Sequence, residues 1–203
     1  MNADRIKSYP LRRRAVVKEL LAQRGDTLVV AGLGAPAWDV TAAGDEPLNF
    51  PLWGAMGGAV PLGLGLALAQ PSRRVLVITG DGEMLMGLGS LATVAIQRPP
   101  NLAIVVLDNE RYGETGMQLT HTAGSVDLAA VAAASGIPIC STVSNEKDLK
   151  SVLPQIWKGV GPVFFNIKIR AEDLPLVLPP KDGAYLKDRF RLALLGENKR
   201  FTS

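Results

Sequence analysis

The chain has 203 residues, enough for one domain or one domain with appendages, and its 47% hydrophobic and 20% charged content excludes a disordered polymer. The net charge is only +3, and the basic residues gather at Arg12, Arg13 and Arg14 and again at Lys187, Arg189, Arg191, Lys199 and Arg200. No aromatic-laced basic stripe appears, so no nucleic-acid partner is expected. One cysteine (Cys140) and one histidine (His121) exclude an intrachain disulfide, a multi-cysteine zinc site, a four-cysteine iron–sulfur cluster and a polyhistidine metal site.

In chain order, a helix is predicted over 11–23, with Val16, Val17, Leu20 and Leu21 on one face. A strand follows over 27–31. A small-residue helix is predicted over 61–69. It lies in the longest run without a polar residue, 59–69, which is too short to cross a bilayer. No apolar signal core follows Arg14, so a cytoplasmic setting without membrane association is expected. A second strand over 74–79 leads to a helix over 84–97, where Leu88, Leu91, Ala92 and Ala95 recur at helical spacing. Gly87 and Gly89 inside it are read as close-packing positions against a sheet. A third strand over 103–107 precedes a helix over 126–135, capped by Asp127. Then come a weaker strand over 137–143 holding Cys140 as a small buried hydrophobe, a helix over 146–158 capped by Asn145, and a strand over 162–169. Valine- and isoleucine-rich runs without alternation suit strands buried on both faces, so the alternation of strand and helix predicts an α/β fold: a doubly wound, mainly parallel sheet with helices on both faces. Residues 1–170 are expected to form this domain. Residues 171–203 change character, with Pro175, Pro179 and Pro180 before an amphipathic stretch over 185–195. They are read as a C-terminal strap or helix rather than a separate domain, fraying over 196–203.

The second strand ends in Gly80-Asp81-Gly82 and the third in Asp108-Asn109. In a parallel sheet both ends lie on the edge where ligands bind. A carboxylate and an amide oxygen suit a hard cation such as Mg²⁺, usually completed by phosphate oxygens and water. Gly80 and Gly82 permit close backbone approach to a phosphate beside a helix N-terminus. The alternative for the tripeptide alone is a tight turn with a capping Asp.

Gly80-Asp81-Gly82, 25 residues, then Asp108-Asn109 resembles the thiamine diphosphate motif, which begins Gly-Asp-Gly and ends Asn-Asn; Asp108 is a departure. Gly54-Ala55-Met56-Gly57 resembles the pyrimidine-side segment of decarboxylases and acetolactate synthases. Tyr112, Thr115-Gly116, Gln118 and Thr120, then Asp127-Leu128-Ala129, resemble the beta subunit of sulfopyruvate decarboxylase and the matching half of phosphonopyruvate decarboxylase. The resemblance spans about residues 13–191. It implies the thiamine diphosphate-binding fold, with Asp81, Asn109 and the Arg111 carbonyl holding Mg²⁺ against the cofactor's diphosphate. Gly80, Gly82 and Glu83, with Tyr112 and Gly113, would lie beside that diphosphate, and Gly34 and Ala35 would close over its far end. Gly54 would accept a hydrogen bond from the aminopyrimidine, and Met56 would hold the cofactor bent.

It further implies a decarboxylase acting on a 2-oxoacid as half of a hetero-oligomer. The partner, an alpha subunit, would carry the pyrimidine-binding domain and its glutamate. Glu83 stands where a small residue is usual and is read alternatively as a first-turn helix acid pointing outward. Glu114, Met117 and Leu119 also depart from the family on the substrate side. Trp38 and Trp53 flank the glycine-rich segments, either lining the pocket or serving as core or subunit contacts. His121 is read as a proton donor or carboxylate anchor, against a structural or exposed residue. The glycines at 57, 58, 63 and 65 do not follow a strand in dinucleotide register. Three rival readings stand beside the decarboxylase: a carboligase or lyase of the acetolactate synthase type; a 2-oxoacid oxidoreductase beta subunit, disfavoured by the single cysteine; and a non-catalytic interaction subunit that retains the fold.

Overall fold

The computed structural model describes residues 8–196. Lys199, Arg200 and most of the segment expected to fray lie outside them. The elements run α1 (Arg13–Leu21), β1 (Leu28–Ala31), α2 (Ala35–Ala43), β2 (Asn49–Pro51), α3 (Ala59–Ala69), β3 (Val75–Gly80), α4 (Asp81–Met86), α5 (Ser90–Gln97) and β4 (Leu102–Asp108). A small antiparallel hairpin of β5 (Arg111–Tyr112) and β6 (Gln118–Leu119) follows. The chain then continues through α6 (Leu128–Ala134), β7 (Ile139–Val143), α7 (Glu146–Lys158), β8 (Val163–Lys168) and α8 (Gly183–Leu195).

Six strands form one sheet in the order β2-β1-β3-β4-β8-β7, every pair parallel. The doubly wound α/β sheet is therefore as expected. Alternate strand residues feed two cores. One face joins Val29, Ile78, Val105 and Phe165 to α1, α2 and α7. The other joins Val30, Val77, Ile104 and Phe164 to α3, α5, α6 and α8. Burial on both faces explains the near-continuous apolar runs of β3, β4 and β8. Phe164 and Phe165 are fully buried on opposite faces, each contributing about 1.5–3 kcal/mol of transfer free energy.

Asp127 caps α6 by accepting from the Ala129 and Ala130 amides, and Asn145 caps α7 by accepting from the Asp148 amide, both as expected. Cys140 is half-buried in β7, with its thiol on the Ile137 carbonyl; burial pushes that thiol up to about 11, which keeps it inert. The helix predicted over 84–97 is instead two. Gly87 ends α4, and a Cβ there would lie 2.4 Å from the Gly57 carbonyl oxygen. Gly87 thus packs on the 54–58 segment rather than on the sheet. The C-terminal α8, capped by Asp182, lies on β2: Phe190 meets Phe50 edge-on at 5.4 Å, and the Arg189 fork holds Asp45 through two bonds of 2.9 Å. Among the described residues no helix is long and apolar enough to cross a membrane.

Candidate functional site

The chain leaves β1 toward β2 on one side and β3 toward β4 on the other. The winding direction therefore reverses between β1 and β3, and a crevice opens there at the strands' carboxyl ends. A cavity of about 150 Å³ occupies this point. Its walls bring together Ala35, Met56, Gly80, Asp81, Gly82, Glu83, Asn109, Arg111, Tyr112 and Gly113 from the residues singled out in the sequence. Gly34, Gly54 and His121 are not in the lining.

Asp81 opens α4 and is 2% exposed. Its Oδ2 accepts from Thr120 Oγ1 at 2.6 Å and lies 3.2 Å from Thr122 Oγ1, whose one proton it shares with Asp108 Oδ1, while Asp81 Oδ1 takes neither bond. Burial, and next the neighbouring Asp108 charge, raise the Asp81 carboxyl to about 7; the two threonine hydroxyls oppose that shift.

Asp108, the departure from Asn-Asn, does not line the cavity. It is wholly buried, accepting at Oδ1 from Thr122 Oγ1 (2.8 Å) and the Glu110 amide (3.1 Å), and at Oδ2 from Asn166 Nδ2 (2.9 Å). Lys168 Nζ answers its charge at 2.7 Å and also meets Glu110 Oε1 at 2.9 Å. Burial alone would lower the Lys168 ammonium; the two carboxylates outweigh it and raise it. Glu110 also accepts from Tyr9 Oη and sits at φ 60°, a left-handed conformation that a non-glycine residue keeps only when its surroundings over-determine it. Those bonds hold the turn that aims Asn109 and Arg111. Asn109 Oδ1 accepts the Arg111 amide at 2.9 Å, which leaves one lone pair for another partner.

Glu83 does not point outward, so the first-turn reading is corrected. It is 7% exposed and turned inward, with Oε2 accepting from Thr79 Oγ1 (2.7 Å) and the Leu33 amide (3.0 Å). Burial raises its pKa, against the Thr79 hydroxyl and the Ala59, Leu33 and Gly57 amides. This inward turn requires a glycine at 32: a Cβ there would lie 1.9 Å from Glu83 Oε2 and 2.8 Å from Thr79 Oγ1. Gly32→Ala is therefore expected to cost about 1–3 kcal/mol in thermal unfolding. Adding Glu83→Ala should recover part of that loss, and strict additivity of the two changes would contradict the clash.

Gly34 caps α2 at φ 74°, with Glu114 packed over it. The Glu114 Oε1 accepts from Trp38 Nε1 at 3.3 Å. Trp38 and Trp53 meet edge-on at 5.2 Å, and neither lines the cavity. The Tyr112 ring lies over Gly82. Gly54, Ala55 and Met56 form an exposed segment, Met56 being 62% exposed, and Met86 beside them is 56% exposed. His121 is exposed in the turn after β6.

The donor set suits a hard divalent cation. Asp81 Oδ1, Asn109 Oδ1 and the Arg111 carbonyl are oxygens, and among the described residues no group of three or more His, Cys, Asp or Glu could close a metal site without help. Such an ion needs further oxygens from a diphosphate and water. The residues sequence reasoning missed here are Gly32, Glu110, Thr122, Asn166 and Lys168. The polar pair Asn166 and Lys168, on one face of the otherwise apolar β8, was the available signal.

A parallel α/β sheet with a crevice at its switch point, lined by Asp81, Asn109 and glycine backbone, has the form of a cofactor-binding domain. The family model described as "Thiamine pyrophosphate enzyme, C-terminal TPP binding domain" matches residues 35–167, and the chain belongs to that family. It is 37% identical over 180 residues to sulfopyruvate decarboxylase subunit beta of Methanothermobacter thermautotrophicus, covering 89% of this chain and 94% of that one. It is 39% identical over 181 residues to phosphonopyruvate decarboxylase of Streptomyces viridochromogenes, covering 88% of this chain and 45% of the relative. The crystal structure of benzoylformate decarboxylase from Polynucleobacter necessarius superposes with a TM-score of 0.67 at 21% identity, over 82% of this chain and 34% of that chain, a likeness of fold.

Proposed function

We propose that this chain is the diphosphate- and Mg²⁺-binding subunit of a two-component thiamine diphosphate-dependent 2-oxoacid decarboxylase. The observation that carries the reading is the half-built site. The cavity of about 150 Å³ is well below the roughly 300–1,000 Å³ of a complete small-molecule pocket, and beside it Met56 and Met86 stand open to solvent. A second subunit bearing the pyrimidine-binding domain and its glutamate would supply the missing wall. The apolar α3 adds support: it carries no charged residue, yet exposes Pro61, Gly65, Leu68 and Ala69, a pattern normal for a helix covered on every side.

When bound, the thiamine group supplies the nucleophilic carbon and the electron sink for loss of CO₂ from a 2-oxo acid. Asp81, Asn109 and the Arg111 carbonyl would hold Mg²⁺ against the diphosphate. Gly80 and Gly82 would let the backbone approach it, and the loop at Gly34 and Ala35 would close its far end. Met56 would pack between the rings and Gly54 would offer its carbonyl to the aminopyrimidine. Tyr112, over Gly82, would shield the diphosphate from water. His121, exposed after β6 and outside the cavity lining, would act only on a group reaching past the β5–β6 hairpin.

Copurification of the tagged chain from its native host, with mass spectrometry of partner and cofactor, tests the assembly. The complex is then expected to release CO₂ from sulfopyruvate or phosphonopyruvate and yield the aldehyde. A 2-hydroxy ketone from pyruvate instead would favour the carboligase, and full turnover by the isolated chain would overturn the two-component reading.

A further inference from the structure

We propose that Thr120 and Thr122 are positioning residues that fix the rotation of the Asp81 carboxylate, so that Oδ1 alone faces a divalent cation. The proposal rests on the reading of Asp81 as a cation ligand. Both threonines come from the loop after β6, 39 and 41 residues from Asp81, and both are buried, at 4% and 3% exposure. Burying a hydroxyl without a partner costs about 1–3 kcal/mol, so valine would serve better if only volume mattered. Here both hydroxyls converge on one carboxylate oxygen, Asp81 Oδ2. The Thr120 and Thr122 hydroxyls lie 2.8 Å apart, and the single Thr122 proton is shared between Asp108 Oδ1 at 2.8 Å and Asp81 Oδ2 at 3.2 Å.

The consequence is geometric. A carboxylate with one oxygen held by hydroxyls offers a cation the other, the arrangement that leaves other positions of an octahedral ion for the amide of Asn109, phosphate and water. Without the hydroxyls the carboxylate rotates about its Cβ–Cγ bond, and both oxygens compete for the ion. The Thr120 amide also donates to the Glu110 carbonyl at 3.1 Å, so the loop carrying both hydroxyls is anchored to the turn that aims Asn109 and Arg111. Partners that orient a metal ligand are typically worth 10–100-fold in metal affinity.

Mn²⁺ binding to the purified complex, in the presence of thiamine diphosphate and followed by electron paramagnetic resonance, tests this. Thr120→Val and Thr122→Val are each expected to weaken Mn²⁺ binding 10-fold or more. Thr120→Ser, which keeps the hydroxyl, should stay within about threefold of wild type. At saturating Mg²⁺ the valine variants should regain most of kcat, so the loss appears in the cation's KM. Unchanged Mn²⁺ affinity in both valine variants, alongside a lowered melting temperature, would make the threonines structural only and overturn the proposal. Asp81→Asn separates the two claims: if wild type binds Mn²⁺ and that variant binds it equally well, the ligand reading itself fails. If one valine variant does not fold, the other and Thr120→Ser still decide.

Discussion

Asp81→Asn is expected to cut cation-dependent activity of the assembled enzyme by about two to three orders of magnitude while making the chain free of metal more stable at neutral pH. Losing the charged ligand removes several kcal/mol of charge stabilisation, about 10²–10³-fold in kcat/KM. The stability effect runs the other way, because a buried carboxylate beside Asp108 is costly to ionise. Asp81 titrates near 7 in the folded chain against 3.8 when free. Between those values the folded chain holds a proton that the unfolded chain has lost, so stability falls as pH rises through that window. Asparagine does not titrate and still accepts from Thr120 and Thr122. The melting temperatures of wild type and variant should therefore nearly coincide near pH 4, diverge up to about pH 7 in favour of the variant, and stay apart above it. Unchanged activity would favour the interaction-subunit reading, and a gap independent of pH would refute the raised carboxyl. A residue that lowers stability while carrying function is the expected form of an active-site trade-off.

How much of this was legible in the sequence depends on how local each cause is. Strands β1, β3, β4 and β8 are legible because burial on both faces leaves an apolar run. β2 is not, since three residues ending in Pro51 have no pattern of their own, and the strand exists through pairing of Val29–Ala31 with Asn49–Pro51. α2 carries no amphipathic stripe and is buried over Pro36–Val40, so periodicity gave no signal. The split at Gly87 came from the approach of Gly57, thirty residues earlier in the chain. In the site, Gly80, Asp81, Gly82 and Asn109 were readable because a parallel sheet places strand ends together whatever the intervening chain does. Thr122 and Lys168 were not, because their partners at Asp81, Asp108 and Glu110 are 14–60 residues away. The outward alternative for Glu83 failed because the space it fills is left by Gly32, just past the end of β1.

Lys168→Met is expected to be the most destabilising single change in the site, by about 3–5 kcal/mol in denaturant unfolding. It removes the ammonium that two buried carboxylates share. The ion group stands where the family motif has a neutral amide, and this dictates the rescue. Asp108→Asn added to Lys168→Met removes one stranded charge and keeps an acceptor for Thr122 and the Glu110 amide, so the double variant should be more stable than Lys168→Met. Asp108→Asn alone should cost less than Lys168→Met, because the ammonium keeps Glu110. The pH dependence follows from the same contacts. The Lys168 pKa is raised above its ordinary 10.5, so its contribution is complete below that value and is lost as pH climbs through the folded pKa. A loss under 1 kcal/mol for Lys168→Met, or a double variant no better than the single, would show that the charges are solvated and independent. If the coupling holds, the left-handed Glu110 is kept in place by Lys168, Tyr9 and the Thr120 amide together. The turn presenting Asn109 and the Arg111 carbonyl is then set by a charge on β8 that does not line the cavity.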